Sequence, residues 1–386
     1  MTLTGGRRAV GSGSEELTRA AYARAESYLP WNVRPMLHNI ELKPNWIGES
    51  DRFWYRRTSP EGAEFVLVDP ASGERRPAFD HVRLAEALSR ATGRPSVHNQ
   101  LPFEEIAFED DGRTLRFAVA AQQWSCDLDS YACTNRGPVE PARKDEVLSP
   151  DKQWAAFLRD GNLFVRHTAS GEERALTSDA EPYDDYATLP ESRLSAVTDR
   201  ATGKPLPPVV AWSPDSTRLF TYRLDQRQVE PMVLVQSVPP EGSHRPLAHP
   251  YRYPLPGDAA LATGELLILD LEGKRVPLQT APLHAGGRGI FETGYAWWGE
   301  DGKNVYFVRA ERGGQAVTLE AGDAASGETR TLLEERGAST VFPQHVGMEI
   351  SNVKVLDGGA AFTWFSAKSG WGHLSLYDAA TGEERN

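Results

Sequence analysis

The sequence predicts an all-β fold: a β-propeller of four-stranded antiparallel blades, about six of them visible and the set incomplete, with a short N-terminal helix and one inserted helix. Three observations predict it. A unit made of an aromatic residue, an Asp/Gly/Ser turn and two alternating strands recurs along the chain. Most units close on a Ser/Thr-Gly-Glu turn followed by a short basic segment. The composition, with 34 Gly, 27 Pro, 10 Trp, 12 Tyr and 14 Phe, favours short strands and many turns over long helices. A sheet of this size cannot bury its apolar face alone, so the copies must stack, and radial stacking makes a propeller. A β-sandwich would not repeat such punctuation.

Residues 1–13 read as a flexible tail, 14–40 as a helical segment and 41–386 as the propeller, truncated at its C-terminus. Leu17, Ala21, Ala25, Tyr28 and Leu29 recur at helical spacing, which predicts a helix over Ser14–Leu29. A second helix is predicted over Asp80–Ala91, with Asp80 as N-cap, Leu84 and Leu88 on one face and Gly93 after its end. The repeats start at Asn45-Trp46-Ile47-Gly48, Phe108-Glu109-Asp110-Asp111-Gly112, Leu148-Ser149-Pro150-Asp151, Trp212-Ser213-Pro214-Asp215, Trp297-Trp298-Gly299-Glu300 and Asp357-Gly358-Gly359. They close at Ser72-Gly73-Glu74, Ser170-Gly171-Glu172, Ser326-Gly327-Glu328 and Thr381-Gly382-Glu383. Their spacing, roughly 40 to 85 residues against the roughly 40 to 50 of a bare blade, predicts insertions. The longest falls between Arg223 and Glu265. The last copy stops at its Thr-Gly-Glu turn without a fourth strand, which reads as a fragment of a longer protein.

Charge and motifs narrow the function. A net charge of −12 disfavours nucleic acid and anionic membranes as partners, since both need a basic face. No apolar run is long enough for a helical span, and the N-terminal residues lack the apolar core of a secretory signal, so the expected location is cytoplasmic. Cys126 and Cys133 are near enough to face each other across a hairpin; the favoured reading is two reduced thiols rather than a disulfide. No metal or other cofactor is expected: the nine His are scattered, and neither His-Glu-x-x-His nor a phosphate-binding Gly-Lys loop occurs. The Gly-x-Ser-x-Gly elbow of an α/β-hydrolase nucleophile is absent; Gly337-Ala338-Ser339-Thr340-Val341 comes nearest and fails at its last position. Adjacent acids such as Glu104-Glu105, Glu172-Glu173 and Glu334-Glu335 read as solvated turns.

Several segments carry a more specific resemblance. Phe365-Ser366-Ala367-Lys368-Ser369-Gly370-Trp371-Gly372-His373-Leu374 is similar to a Ser-Glu-x-x-Gly-Trp-x-His-Leu-Tyr hairpin, and Tyr251-Arg252-Tyr253-Pro254-Leu255-Pro256-Gly257-Asp258 to a Tyr-Pro-x-x-Gly segment. With Trp212–Ser216, Leu189–Arg193 and Tyr222–Arg227 they make residues 17–386 resemble the N-terminal propeller of dipeptidyl peptidase IV-like serine peptidases, of the prolyl oligopeptidase family. The resemblance implies a C-terminal α/β-hydrolase domain, missing here, that carries Ser, Asp and His. It implies that the propeller gates and orients a peptide substrate without cleaving it. The family holds the substrate's amino terminus with two adjacent glutamates. The matching segment before Trp212 has no such pair; its acids are Glu181, Asp184, Asp185 and Glu191, of which Asp184, Asp185 and Glu191 are the candidates for the amine-holding role. Expected partners are the peptide, the hydrolase domain and, as an option, a second copy of the chain. A stand-alone propeller that binds a protein or peptide is the alternative, and a propeller glycosidase a more distant one.

Overall fold

The computed structural model describes residues 19–39, 42–48, 50–109, 112–139, 143–192, 194–199, 203, 205–239, 242, 244–285, 289–343 and 350–385. The fold is a β-propeller of antiparallel blades, and its contacts divide the chain into two compact units, Met1–Ala142 and Arg143–Asn386.

The first unit begins with α1 (Arg19–Ser27) and α2 (Pro30–Val33), followed by a 3-10 turn at Arg34–Met36. The expected helix Ser14–Leu29 is thus shorter at its C-terminal end, and residues 14–18, like the predicted tail, lie outside the described residues. Pro30 sits in the first turn of α2, where its missing N–H costs nothing. α1 buries no residue, so its apolar periodicity is not matched by packing among the described residues. The first blade comprises β1 (Asn45–Trp46), β2 (Phe53–Ser59), β3 (Gly62–Asp69) and β4 (Glu74–Pro77). Then comes the inserted helix α3 (His81–Thr92). Asp80 Oδ1 accepts from the N–H groups of Val82 and Arg83, and Gly93 at φ +71° ends the helix. Leu84 and Leu88 are fully buried against Phe65, Phe79 and Phe103.

The second blade comprises β5 (Ala107–Glu109), β6 (Thr114–Val119), β7 (Gln122–Asp127) and β8 (Cys133–Pro138). Its predicted opening turn contains Asp110 and Asp111, which lie outside the described residues. Cys126 and Cys133 form a disulfide, which corrects the expectation of free thiols. The reason is register: the two face each other directly across β7 and β8, with Cα atoms 4.1 Å apart.

The second unit holds four blades. Blade 3 is β9 (Glu146–Leu148), β10 (Trp154–Arg159), β11 (Asn162–His167) and β12 (Glu173–Ala175). In blade 4 the first strand is broken. β13 (Asp184–Tyr186) and β14 (Ala211–Trp212) both pair with β15 (Arg218–Asp225), leaving residues 187–210 as an excursion between them. The predicted long insertion is a separate two-stranded sheet, β16 (Pro231–Gln236) with β17 (Leu247–Arg252). The blade finishes with β18 (Thr263–Asp270), β19 (Arg275–Pro277) and β20 (Leu283–His284), the last pairing with the start of β18. Blade 5 is β21 (Ala296–Trp298), β22 (Asn304–Ala310), β23 (Ala316–Asp323) and β24 (Thr329–Arg336). Blade 6 has β25 (Lys354–Leu356), β26 (Ala361–Ser366) and β27 (His373–Asp378), with one bridge from Tyr377 to Glu384 where a fourth strand would lie.

The repeated residues have repeated jobs. Ser149 Oγ donates to Asp151 Oδ1 at 2.6 Å, and Ser213 Oγ donates to Asp215 Oδ1 at 2.6 Å. Each turn then passes through a positive φ, at Lys152 and Ser216. Trp212 Nε1 donates to Val147 O of blade 3 at 3.0 Å, and Trp298 Nε1 repeats the bond to Ala211 O of blade 4 at 2.8 Å. The aromatic residue that opens a copy therefore ties it to the copy before. Asp160 and Gly161, both at positive φ, make the two-residue turn of the β10–β11 hairpin. Between blades 3 and 4, 4 and 5, and 5 and 6 lie three apolar clusters that bury Leu163, Phe220 and Trp364 respectively. Among the described residues no helix is long and apolar enough to cross a membrane.

Candidate functional site

The candidate site is the broken first strand of blade 4 and the excursion that follows it. Neighbouring residues of a strand point to opposite faces, and this separates Asp184 from Asp185. Asp184 and Tyr186 face the cluster shared with blade 3. There Asp184, only 4% exposed, is gripped by Arg223 through Nε–Oδ1 at 2.6 Å and Nη2–Oδ2 at 2.9 Å. Arg227 adds a contact of 3.0 Å. Arg223 and Arg275 flank the Tyr186 ring at 5.3 and 5.1 Å, and both reach Asp179. Arg275 donates to Asp179 Oδ1 at 2.6 Å, which holds that carboxyl far below its usual range, and the Tyr186 hydroxyl donates to it as well. The hydrogen bond to Asp184 in turn holds Arg223 more firmly charged. This network is satisfied from within: Asp184 has two guanidinium partners and faces a packed core.

Asp185 pairs opposite Leu224, on the other face of the sheet. It accepts a hydrogen bond from Thr188 Oγ1, and no Lys, Arg or His lies within ion-pairing distance of it among the described residues. Burial pushes its carboxyl up to about 6, opposed by the Thr188 hydrogen bond and reinforced by the charge of Asp184. Tyr222 lies nearby, its hydroxyl donating to Thr188 O at 2.6 Å; burial first and the charge of Asp185 second raise its pKa. Gly161 leaves the space that Asp185 occupies: a Cβ there would lie 2.9 Å from the Asp185 Cβ.

Glu191 lies six residues on, in the excursion. Its backbone N–H donates to Gln226 Oε1 at 2.9 Å, and its carboxylate accepts the Arg252 N–H at 2.6 Å. The Arg252 guanidinium stacks over Tyr183 at 3.9 Å, and its Nε is buried without a hydrogen-bond partner. Glu191 thus joins the excursion to the inserted hairpin. The three sequence candidates come from one stretch but meet different fates: Asp184 is neutralised, Asp185 is half-buried without a cation, and Glu191 holds a backbone donor. Glu181, left off that short list, contacts Arg227 at 3.7 Å on the surface. Sequence reasoning did not find Asp179, Tyr186, Arg275 or Thr188. Asp179 and Arg275 are 96 residues apart, and nothing local links them. Among the described residues no group of three or more His, Cys, Asp or Glu could hold a metal ion.

The family described as the dipeptidyl peptidase IV N-terminal region matches residues 105–189 and 207–386. Asp184 and Asp185 fall inside the match, and Glu191 falls in the gap at the excursion. Among solved structures, a putative dipeptidyl aminopeptidase IV from Bacteroides ovatus ATCC 8483 superposes with a TM-score of 0.50 and 16% identity, over 89% of this chain and 44% of its own. Porphyromonas gingivalis dipeptidyl peptidase 4 gives 0.49 and 16%, over 89% and 46%. The likeness to the first is one of fold. The chain spans less than half the length of either.

Proposed function

The chain belongs to the dipeptidyl peptidase IV N-terminal region family, and from that premise we propose that it is the substrate-gating and substrate-orienting propeller of a dipeptidyl peptidase IV-like serine peptidase. Bond cleavage falls to a C-terminal α/β-hydrolase domain, by acyl transfer through a serine activated by histidine. In this reading Asp185, with Glu191, holds the free amino terminus of the peptide, and Asp184 keeps the strand in place from its other face.

The observation that carries the reading is Asp185, a half-buried carboxylate with no cation beside it among the described residues and a carboxyl raised to about 6. A half-buried carboxylate without a cation is costly to the fold, and such groups concentrate at functional sites. An arriving ammonium would supply the missing charge and draw the Asp185 carboxyl back toward its ordinary range. Exclusion of blocked termini follows from the same arrangement, because an acylated nitrogen brings no positive charge to the carboxylate.

The test uses the parent enzyme, with the sequence that follows this chain. It should hydrolyse a chromogenic peptide with a free amino terminus much faster than its N-acetylated counterpart, and it should react with a fluorophosphonate probe. Equal rates on the two peptides would refute the amine-holding role. No reaction with either peptide or with the probe would refute the peptidase reading.

A further inference from the structure

We infer that the hollow between blades 5 and 6 is a binding site for a guanidinium group, stacked on Trp297 and paired with the carboxylates of Glu300 and Asp301. The hollow holds about 290 Å³. That is close to the lower bound of about 300 Å³ for small-molecule sites, so it takes a side chain or a small cation.

Blade 5 departs from the repeat at four positions, and all four line this hollow. Trp297 pairs with Tyr306 across β21 and β22, as Ala211 pairs with Phe220 in blade 4 and Val147 with Ala156 in blade 3. The Ser-Pro of the opening turns, Ser149-Pro150 and Ser213-Pro214, is replaced by Gly299-Glu300. Gly299 makes room for the tyrosine, since a Cβ there would lie 3.2 Å from Tyr306 Cε2. Loss of the serine hydroxyl also leaves the turn aspartate less occupied. Asp215 Oδ1 accepts from the Ser213 hydroxyl and from the N–H and hydroxyl of Thr217, whereas Asp301 Oδ1 accepts the Lys303 N–H at 2.9 Å. Neither Asp301 nor Glu300 has an ion-pair partner among the described residues.

The tyrosine brings a hydroxyl that the fold does not use, since blade 4 fills the same position with Phe220. Tyr306 is only 4% exposed, and its hydroxyl has no hydrogen-bond partner among the described residues. It points at Gly359 on the opposite wall, where a Cβ would come within 2.8 Å of it. A buried polar group left unpaired is costly, and a ligand donor offsets that cost. The two neighbouring tryptophans differ in the same sense. Trp298 donates from Nε1 to Ala211 O and carries Arg218 over its ring at 5.2 Å. Trp297 stacks on Tyr306 at 5.9 Å and has no cation over it among the described residues. Elsewhere the chain covers such a ring with its own arginine, as Arg174 covers Trp154 at 5.0 Å.

The chemistry of the ligand follows from these groups. Two carboxylates and a phenolic oxygen are acceptors beside an aromatic face, and the exposed Lys354 is the only cation among the residues that line the hollow. A guanidinium is planar, stacks on aromatic rings and presents five donors in a fork. An anion would be repelled by the two carboxylates. The same group is offered by an arginine side chain in a peptide and by a free guanidinium compound.

In the parent enzyme, calorimetric titration should show binding of methylguanidinium and of acetyl-Gly-Arg-Gly-amide, and binding of the uncharged methylurea about tenfold weaker or less. Trp297→Ala should weaken both cations about tenfold. Tyr306→Phe, which installs the residue blade 4 already carries, should weaken them about fivefold and decides alone if Trp297→Ala does not fold. The kcat/KM on a peptide with a free amino terminus should stay unchanged in both variants. Tighter binding of the arginine peptide than of methylguanidinium assigns the site to a side chain, and equal binding to a free cation. No binding of either cation at millimolar concentration, methylurea binding as tightly, or unchanged cation affinity in the folded variants would overturn the inference and leave the peptidase reading standing. A loss of kcat/KM that matches the loss of cation affinity would place the cation with the peptide substrate and overturn it as well.

Discussion

Blades 3 and 4 open with the same Ser-Pro-Asp turn and share one apolar cluster, yet only blade 4 has a first strand broken in two. Blade 3 is made of local signals: an Asp-Gly turn, a Ser-Gly-Glu turn and strands that pair without slippage. Blade 4 is built on the same signals from Trp212 onward, but β13 is held by partners far away in sequence, Arg223 and, through Tyr186, Arg275. The difference teaches that the regular parts of the repeat set the frame, and that the departure from the repeat is where an unpaired carboxylate is kept. Natural sequences break local rules chiefly at functional sites.

The comparison can be broken first in the cores of the two blades. Leu163→Ala in blade 3 and Leu224→Ala in blade 4 both empty fully buried positions. Each should cost about 2–5 kcal/mol in denaturant unfolding. A cost under about 1 kcal/mol for Leu224 alone would show that blade 4 is the looser of the two and that its site is not rigidly held.

A smaller loss is expected from Arg223→Ala, which leaves the buried Asp184 with Arg227 as its remaining cation partner. Removing one partner of a buried pair is strongly destabilising. Because Arg227 remains and Arg223 is partly exposed, about 2 kcal/mol is expected. The second substitution Asp184→Asn should recover part of it in a double-mutant cycle. No recovery would mean that the network does not hold β13.

Asp185 should behave in the opposite sense. Its folded pKa, about 6, lies above the ordinary 3.8, so its contribution to stability is present below about pH 4 and is lost as pH rises through 6. Asp185→Asn should therefore stabilise the protein at pH 8, by about 1 kcal/mol after allowance for its partial exposure, and have little effect at pH 4. Thermal unfolding at the two pH values checks it. A destabilising effect at pH 8 would show that Asp185 is a structural carboxylate like Asp184.

The smallest effects should come from the paired turns. Ser149→Ala and Ser213→Ala each remove a hydroxyl that donates to an aspartate and accepts a backbone N–H, from Trp154 or Arg218, at a net cost of about 0.5–1.5 kcal/mol. The two values should agree within error, because the turns are equivalent. A clear inequality would show that the break in blade 4 propagates into its Ser-Pro-Asp turn.

The frame was legible because its signals are local: a turn needs Asp, Gly or Ser at fixed offsets, and each opening Trp sits in the motif it serves. Among the described residues the predicted starts lie in the first strand of a blade or in the turn that leads to its second, and that first strand begins before most of them. The site was legible only as a stretch. Asp184 and Asp185 look alike in a string of acids, and only the strand period tells that they face opposite sides. The partner of Asp184 lies 39 positions away and that of Asp179 lies 96 positions away, which no local pattern supplies. The cysteine pair was misread for another reason: its opposition across a hairpin was legible from the spacing, and free thiols were favoured only because of the expected compartment.

The account stands most directly on the amine-holding role of Asp185 and Glu191. The decisive measurement is kcat/KM of the parent enzyme on a peptide with a free amino terminus and on its N-acetylated form, before and after the double substitution Asp185→Asn, Glu191→Gln. A charge-assisted contact is worth about 1.5–3 kcal/mol, so the preference for the free terminus should fall by about tenfold or more, chiefly through KM. An unchanged preference in a variant that folds as well as the parent would contradict it.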